Sequence, residues 1–90
     1  MGDARYSSEE IGRLGQEIYE TRLRDRVETE GNIGKVISID VDTGDYEIDD
    51  DLIKAGDRLR TRHPGAALYG ARIGYDAVYA VGGTLARTTQ

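Results

Sequence analysis

From Lys35 the chain alternates strictly, with Ile37, Ile39 and Val41 on one side and Val36, Ser38 and Asp40 on the other. A period of two is the signature of a strand. Asp42-Thr43-Gly44-Asp45 interrupts it with turn-forming residues, Gly44 being free to take the positive φ of a tight reversal. Tyr46 and Ile48 then resume the apolar side and Asp45 and Glu47 the polar one. The segment is therefore a β-hairpin, and the remaining chain has to supply what covers it.

The flanking segments read as helices. Ser7 followed three residues later by Glu10 forms a capping box, and Ile11, Leu14 and Ile18 recur at helical spacing, with Tyr19 and Leu23 widening the stripe. Gly12 and Gly15 weaken that helix by about 1 kcal/mol each relative to Ala, but let another backbone approach closely. Asn32 and Gly34 close the segment. A second helix begins at Asp49-Asp50-Asp51, continues through Leu52, Ile53, Ala55 and Leu59, and is stopped by His63-Pro64-Gly65. Acids at its start and Arg58, Arg60 and Arg62 toward its end both suit the helix dipole. Residues 67–73 follow as a strand, 74–76 as a turn or bulge, and 77–81 as a short fourth strand. The expected fold class is α+β: N-terminal helix, hairpin, helix, strand and fourth strand, in a small antiparallel or mixed sheet with helices on one face. One domain spans residues 7–83, between a flexible N-terminus at 1–6 and a flexible tail at 84–90.

Composition narrows the chemistry. Among 90 residues there is no cysteine, which removes disulfides, thiolate nucleophiles and thiolate-bound zinc. A net charge of -5 gives no counterion-release gain on nucleic acid. The start of the chain has no apolar signal region, and Tyr6 stands where a myristoylation motif needs Ser or Thr. No apolar run approaches the ~20 residues of a membrane span. The expected location is the cytoplasm, with neither nucleic acid nor membrane as partner.

Three constellations invite a chemical reading. Asp42-Thr43-Gly44 is the aspartic-protease triad, but Asp45 follows where a small or apolar residue belongs, and the chain lacks the all-β pattern of that fold. The triad reads as a turn. Residues 40–51 hold seven acids and no base, like a calcium loop. Gly44 and Asp45 occupy each other's places in that motif, and the flanks are strand rather than helix. Asp40, Asp42, Asp45 and Asp49 therefore remain candidate metal ligands only for weak divalent binding. His63 is the one histidine, so no histidine pair can hold a metal. Neither Gly82-Gly83 nor Gly31-x-x-Gly34 continues as a phosphate loop.

Six tyrosines stand without any Phe or Trp. Tyr46, Tyr69, Tyr75 and Tyr79 lie on or beside expected strands, where tyrosine can pack a ring and wet a hydroxyl, and tyrosine is enriched at binding hot spots. With Gly12 and Gly15 they are the candidate partner-binding residues.

The stretch Gly34-Lys35-Val36-Ile37-Ser38-Ile39-Asp40-Val41-Asp42-Thr43-Gly44-Asp45-Tyr46-Glu47-Ile48-Asp49 resembles a family of small bacterial proteins common in cyanobacteria. That family shares the leading helix, a GKxxxIDxxTGDYEID hairpin, a helix, and a strand ending in a run like Arg72-Ile73-Gly74-Tyr75. The resemblance covers residues 8–83. It implies a compact domain and brings no established activity, cofactor or catalytic residue. Members resemble gene neighbours of small retroviral-type aspartic proteases or toxin–antitoxin modules, which implies pairing with another protein. The resulting expectation is a non-enzymatic interaction module without cofactor, an accessory or antitoxin-like protein that binds another protein or a second copy of itself. The alternative is a small-ligand or divalent-cation binder using the acidic hairpin.

Overall fold

The computed structural model describes residues 6–76 and, as backbone, 86–87. Helix α1 (Ser8–Ile18) starts at the expected capping box, with Ser7 Oγ accepting from Glu10 N–H and the Glu10 carboxylate accepting from Ser7 N–H. The helix then widens into a π-helical segment, Tyr19–Leu23, before the short α2 (Arg24–Val27). The wider turn has a sequence cause. A 3.6-residue period carries the Ile11-Leu14-Ile18 stripe on to positions 22 and 26, but the apolar residues come one place later, at Leu23 and Val27. Absorbing one extra residue returns Leu23 and Val27 to the core, at 4% and 2% exposure, and leaves Arg22 and Arg26 outside it. The Thr21 hydroxyl assists by donating to the Glu17 carbonyl.

Strands β1 (Val36–Asp40), β2 (Tyr46–Asp49) and β3 (Leu68–Arg72) form one antiparallel sheet in the order β2-β1-β3. Ile39 lies opposite both Tyr46 and Tyr69, and Ile37 opposite both Ile48 and Ala71. These residues share a face with Val41, which α1, the π-helical segment and α2 cover with Ile18, Tyr19, Leu23 and Val27. Ile37 and Ile39 are wholly buried there, each worth about 1.5–3 kcal/mol of hydrophobic stabilisation.

Helix α3 (Leu52–Arg62) covers the opposite face. Its buried Ala55, Gly56 and Leu59 lie toward the side of β1 that carries Val36, Ser38 and Asp40. A Cβ at Gly56 would lie 3.9 Å from Ser38 Oγ and 3.4 Å from Leu68 Cδ1. Every residue of β1 is consequently buried, as a strand covered on both sides must be. The α+β class and small antiparallel sheet agree with the sequence reading. The placement of both helices on one face does not. Alternation along β1 shows two good faces once Ser38 and Asp40 count as buried, and a polarity reading assigns them to solvent.

The third strand begins at Leu68 and ends at Arg72, inside the expected 67–73. The Gly74 turn is present, but Tyr75 and Asp76 form a strand, β4, which pairs antiparallel with β5 (Ala86–Arg87) in a separate two-stranded ribbon. The expected strand at 77–81 lies outside the described residues. No helix among the described residues is long and apolar enough to cross a membrane.

Candidate functional site

The hairpin turn is organised by one buried carboxylate. Asp40, 1% exposed, accepts from Asp42 N–H through Oδ1 (3.0 Å) and from the Thr43 hydroxyl through Oδ2 (3.0 Å). Thr43 Oγ1 in turn accepts from Asp45 N–H, and Gly44, at φ +81°, donates its N–H to the Asp40 carbonyl. The Asp42-Thr43-Gly44 triad is thus turn architecture. Asp42 stands on the surface and accepts from the Tyr6 hydroxyl at 2.6 Å.

The remaining acids of the hairpin meet the bases of α3. Arg58 donates to Glu47 and pairs with Asp49, both at 2.9 Å. Arg62 pairs with Asp45 and Glu47, and His63 Nε2 lies 2.9 Å from Asp45 Oδ2. Contact with His63 outweighs the opposing effect of burial and, with Arg62 and the Tyr46 N–H adding to it, holds the Asp45 carboxyl below its ordinary range. Glu47 is lowered by Arg62 and Arg58. Asp49 is lowered first by the Asp51 N–H and then by Arg58. Of the four candidate metal ligands, Asp40 holds the turn, Asp42 holds Tyr6, and Asp45 and Asp49 hold α3. Among the described residues no group of three or more His, Cys, Asp or Glu is arranged to hold a metal ion.

The same arginines close one edge of the sheet. Asp40 N–H bonds to the Asp45 carbonyl, so residues 45, 47 and 49 bond inward to β1 while Tyr46 and Ile48 turn their backbone outward. Arg58 donates to the Ile48 carbonyl (3.1 Å) and Arg62 to the Tyr46 carbonyl (3.4 Å). An edge occupied in this way resists addition of another strand.

The opposite edge is different. Val41 N–H bonds to the Ala67 carbonyl and Ile73 N–H to the Lys35 carbonyl, so odd-numbered residues of β3 bond inward. Leu68, Gly70 and Arg72 turn their backbone N–H and C=O outward, where no described residue meets them. Beside this edge runs a groove of about 230 Å³ lined by Leu52, Ile53, Gly56, Leu68 and Gly70, with Arg60 at one end. Leu52 is 44% and Ile53 72% exposed, although both are large and apolar. Leu52 sits so low over Gly70 that a Cβ there would come within 3.0 Å of both its methyl groups.

The residues singled out from sequence are dispersed. Gly15 faces Tyr69 inside the molecule, where a Cβ would fall 2.0 Å from the ring's Cγ. That pair, with Tyr69 6% exposed, joins α1 to β3. Gly12 has open space around it, Tyr46 lies half-buried at the margin of the core, and Tyr75 is half-exposed on β4. Tyr79 lies outside the described residues. Sequence reasoning passed over Leu52 and Ile53 as ordinary helix core. The available signal was their place directly after three aspartates, since the first turn of a capped helix is its most exposed part. It also passed over Tyr19, whose hydroxyl donates to Glu28 at 2.6 Å beside Arg24. Burial first, then Glu28, raises that hydroxyl's pKa well above the ordinary tyrosine range.

Comparison with protein-family models, curated proteins and solved structures finds no match.

Proposed function

We propose that this chain is a non-enzymatic protein-interaction module that receives a partner strand along the outer edge of β3. The observation behind the proposal is the contrast between the two sheet edges. On β2, arginines of α3 occupy the outward carbonyls. On β3, three residues present donors and acceptors beside exposed Leu52 and Ile53. Strand addition takes its affinity from such an edge and its specificity from a neighbouring apolar groove. An accessory or antitoxin-like role fits a module of this kind, as does membership of the small bacterial family whose hairpin the chain resembles. A cytoplasmic location fits the absence of cysteine from its 90 residues. The cation-binding alternative draws less support, because the hairpin acids already have arginine, histidine, tyrosine and backbone partners.

The test compares the wild type with Ile53→Lys, a change at a site exposed enough to leave the fold intact. Light scattering reads self-association, and capture from a cell lysate reads other partners. The expected result is that whichever association the wild type shows is lost in the variant at an unchanged melting temperature. Association of equal strength in both proteins would overturn the assignment to this edge.

A further inference from the structure

We infer that the strand added to β3 is β3 of a second copy, paired antiparallel about a two-fold axis at Gly70. This rests on the proposed use of the β3 edge and names its occupant. An antiparallel pairing in which Gly70 meets Gly70 also sets Leu68 opposite Arg72 and Arg72 opposite Leu68. Those three residues are the ones whose backbone groups turn outward. Each becomes one half of a pair exchanging two N–H···O=C bonds, so this register satisfies the whole edge and leaves no donor over.

The axis also accounts for the exposed apolar side chains. Leu52 lies directly over Gly70, and a two-fold axis normal to the sheet keeps both copies of α3 on the same face. Leu52 and Ile53 of one copy then meet Leu52 and Ile53 of the other across the seam, which covers the two large apolar residues that are exposed among the described ones.

Charge along the groove has the polarity this symmetry requires. Arg60 stands at the Leu68 end, its Nη1 3.8 Å from a Cβ position at Gly56, and makes no ion pair among the described residues. The acidic start of α3 stands at the other end. Asp49 shares a cross-strand row with Val36 and Arg72, and Asp50 and Asp51 follow it. The two-fold axis exchanges the ends, so Arg60 of each copy is carried toward the end of its partner that holds Asp51 and Asp50, the latter paired with Lys35, where Arg72 is turned onto the Gly34 carbonyl. A parallel pairing would bring like ends together.

Light scattering of the wild type is expected to give twice the 9.9 kDa chain mass, and Ile53→Lys and Arg60→Glu are each expected to shift it toward the monomer. The register has its own test, because the chain contains no cysteine. Mixing the single variants Leu68→Cys and Arg72→Cys under mild oxidation should yield a disulfide-linked heterodimer, whereas either variant alone should not cross-link. Paired residues in such a ladder have Cα atoms about 5.5 Å apart, within disulfide reach. A dimer indifferent to Ile53→Lys and Arg60→Glu, with no cross-link in the mixture, would overturn the seam. A monomer that captures another protein only while Ile53 is intact would overturn the second copy as occupant and leave the interaction module standing. A monomer that captures nothing would overturn both.

Discussion

Asp40 shows how much one side chain can decide. Its carboxylate is buried and satisfied by the N–H and hydroxyl of the turn it precedes. Removing it orphans both donors, and hydrogen bonds to charged groups contribute about 1.5–3 kcal/mol each. Asp40→Ala should therefore lower unfolding free energy by ~2–4 kcal/mol in urea titration, with Asp40→Asn losing markedly less because an amide oxygen can still accept. Gly15 makes a steric argument at the same scale. A methyl group 2.0 Å from Tyr69 Cγ cannot be accommodated without moving the ring or the helix, so Gly15→Ala should cost ~1–3 kcal/mol. Half-exposed Gly12→Ala, with nothing within 4 Å, should be neutral or stabilising through helix propensity. Spacing revealed both glycines in the sequence, but could not separate the one under a ring from the one with open space beside it. That distinction depends on β3, about fifty residues away.

Among the elements, the hairpin and the capped start of α1 were legible because their signals are local: alternation, turn residues and a reciprocal cap. The π-helical segment was not, since its cause is a phase mismatch that shows only when Leu23 and Val27 are required to face the same core. Deleting Thr21 should let the helix return to 3.6 residues per turn with Leu23 and Val27 still inward. Circular dichroism and urea titration should show a folded protein within ~1 kcal/mol of wild type. The contact between α3 and the hairpin was legible only as composition, acids in one place and bases in another. In the fold it makes stability depend on pH. Asp45, Glu47 and Asp49 ionise more readily folded than unfolded, so the unfolded chain binds more protons as acid is added. Their contribution is complete above the ordinary carboxylate range and is lost as pH falls below about 4.5. Melting temperature should drop through that window, and Arg62→Ala should flatten the drop. Tyr19 acts at the other extreme. Its raised hydroxyl pKa opposes ionisation of the folded state, so stability should decline again as pH rises above about 10.

At the scale of the whole molecule the sheet is thin, three strands between a helical layer on either side, and at 90 residues it buries a modest core. Joining two such sheets at β3 would give six continuous strands. Because pairing draws on the folded state alone, melting temperature should rise with protein concentration, and that rise should vanish in Ile53→Lys. Which edge is available could not be read from sequence, because it follows from the strand order and from where the arginines of α3 land. The guanidinium groups on β2 then acquire a meaning beyond stability. A body with one adhesive margin forms pairs and stops, whereas one with two continues without limit. By keeping Tyr46 and Ile48 occupied, Arg58 and Arg62 would act as chain terminators that confine growth to a closed assembly, so their joint removal should turn pairs into filaments.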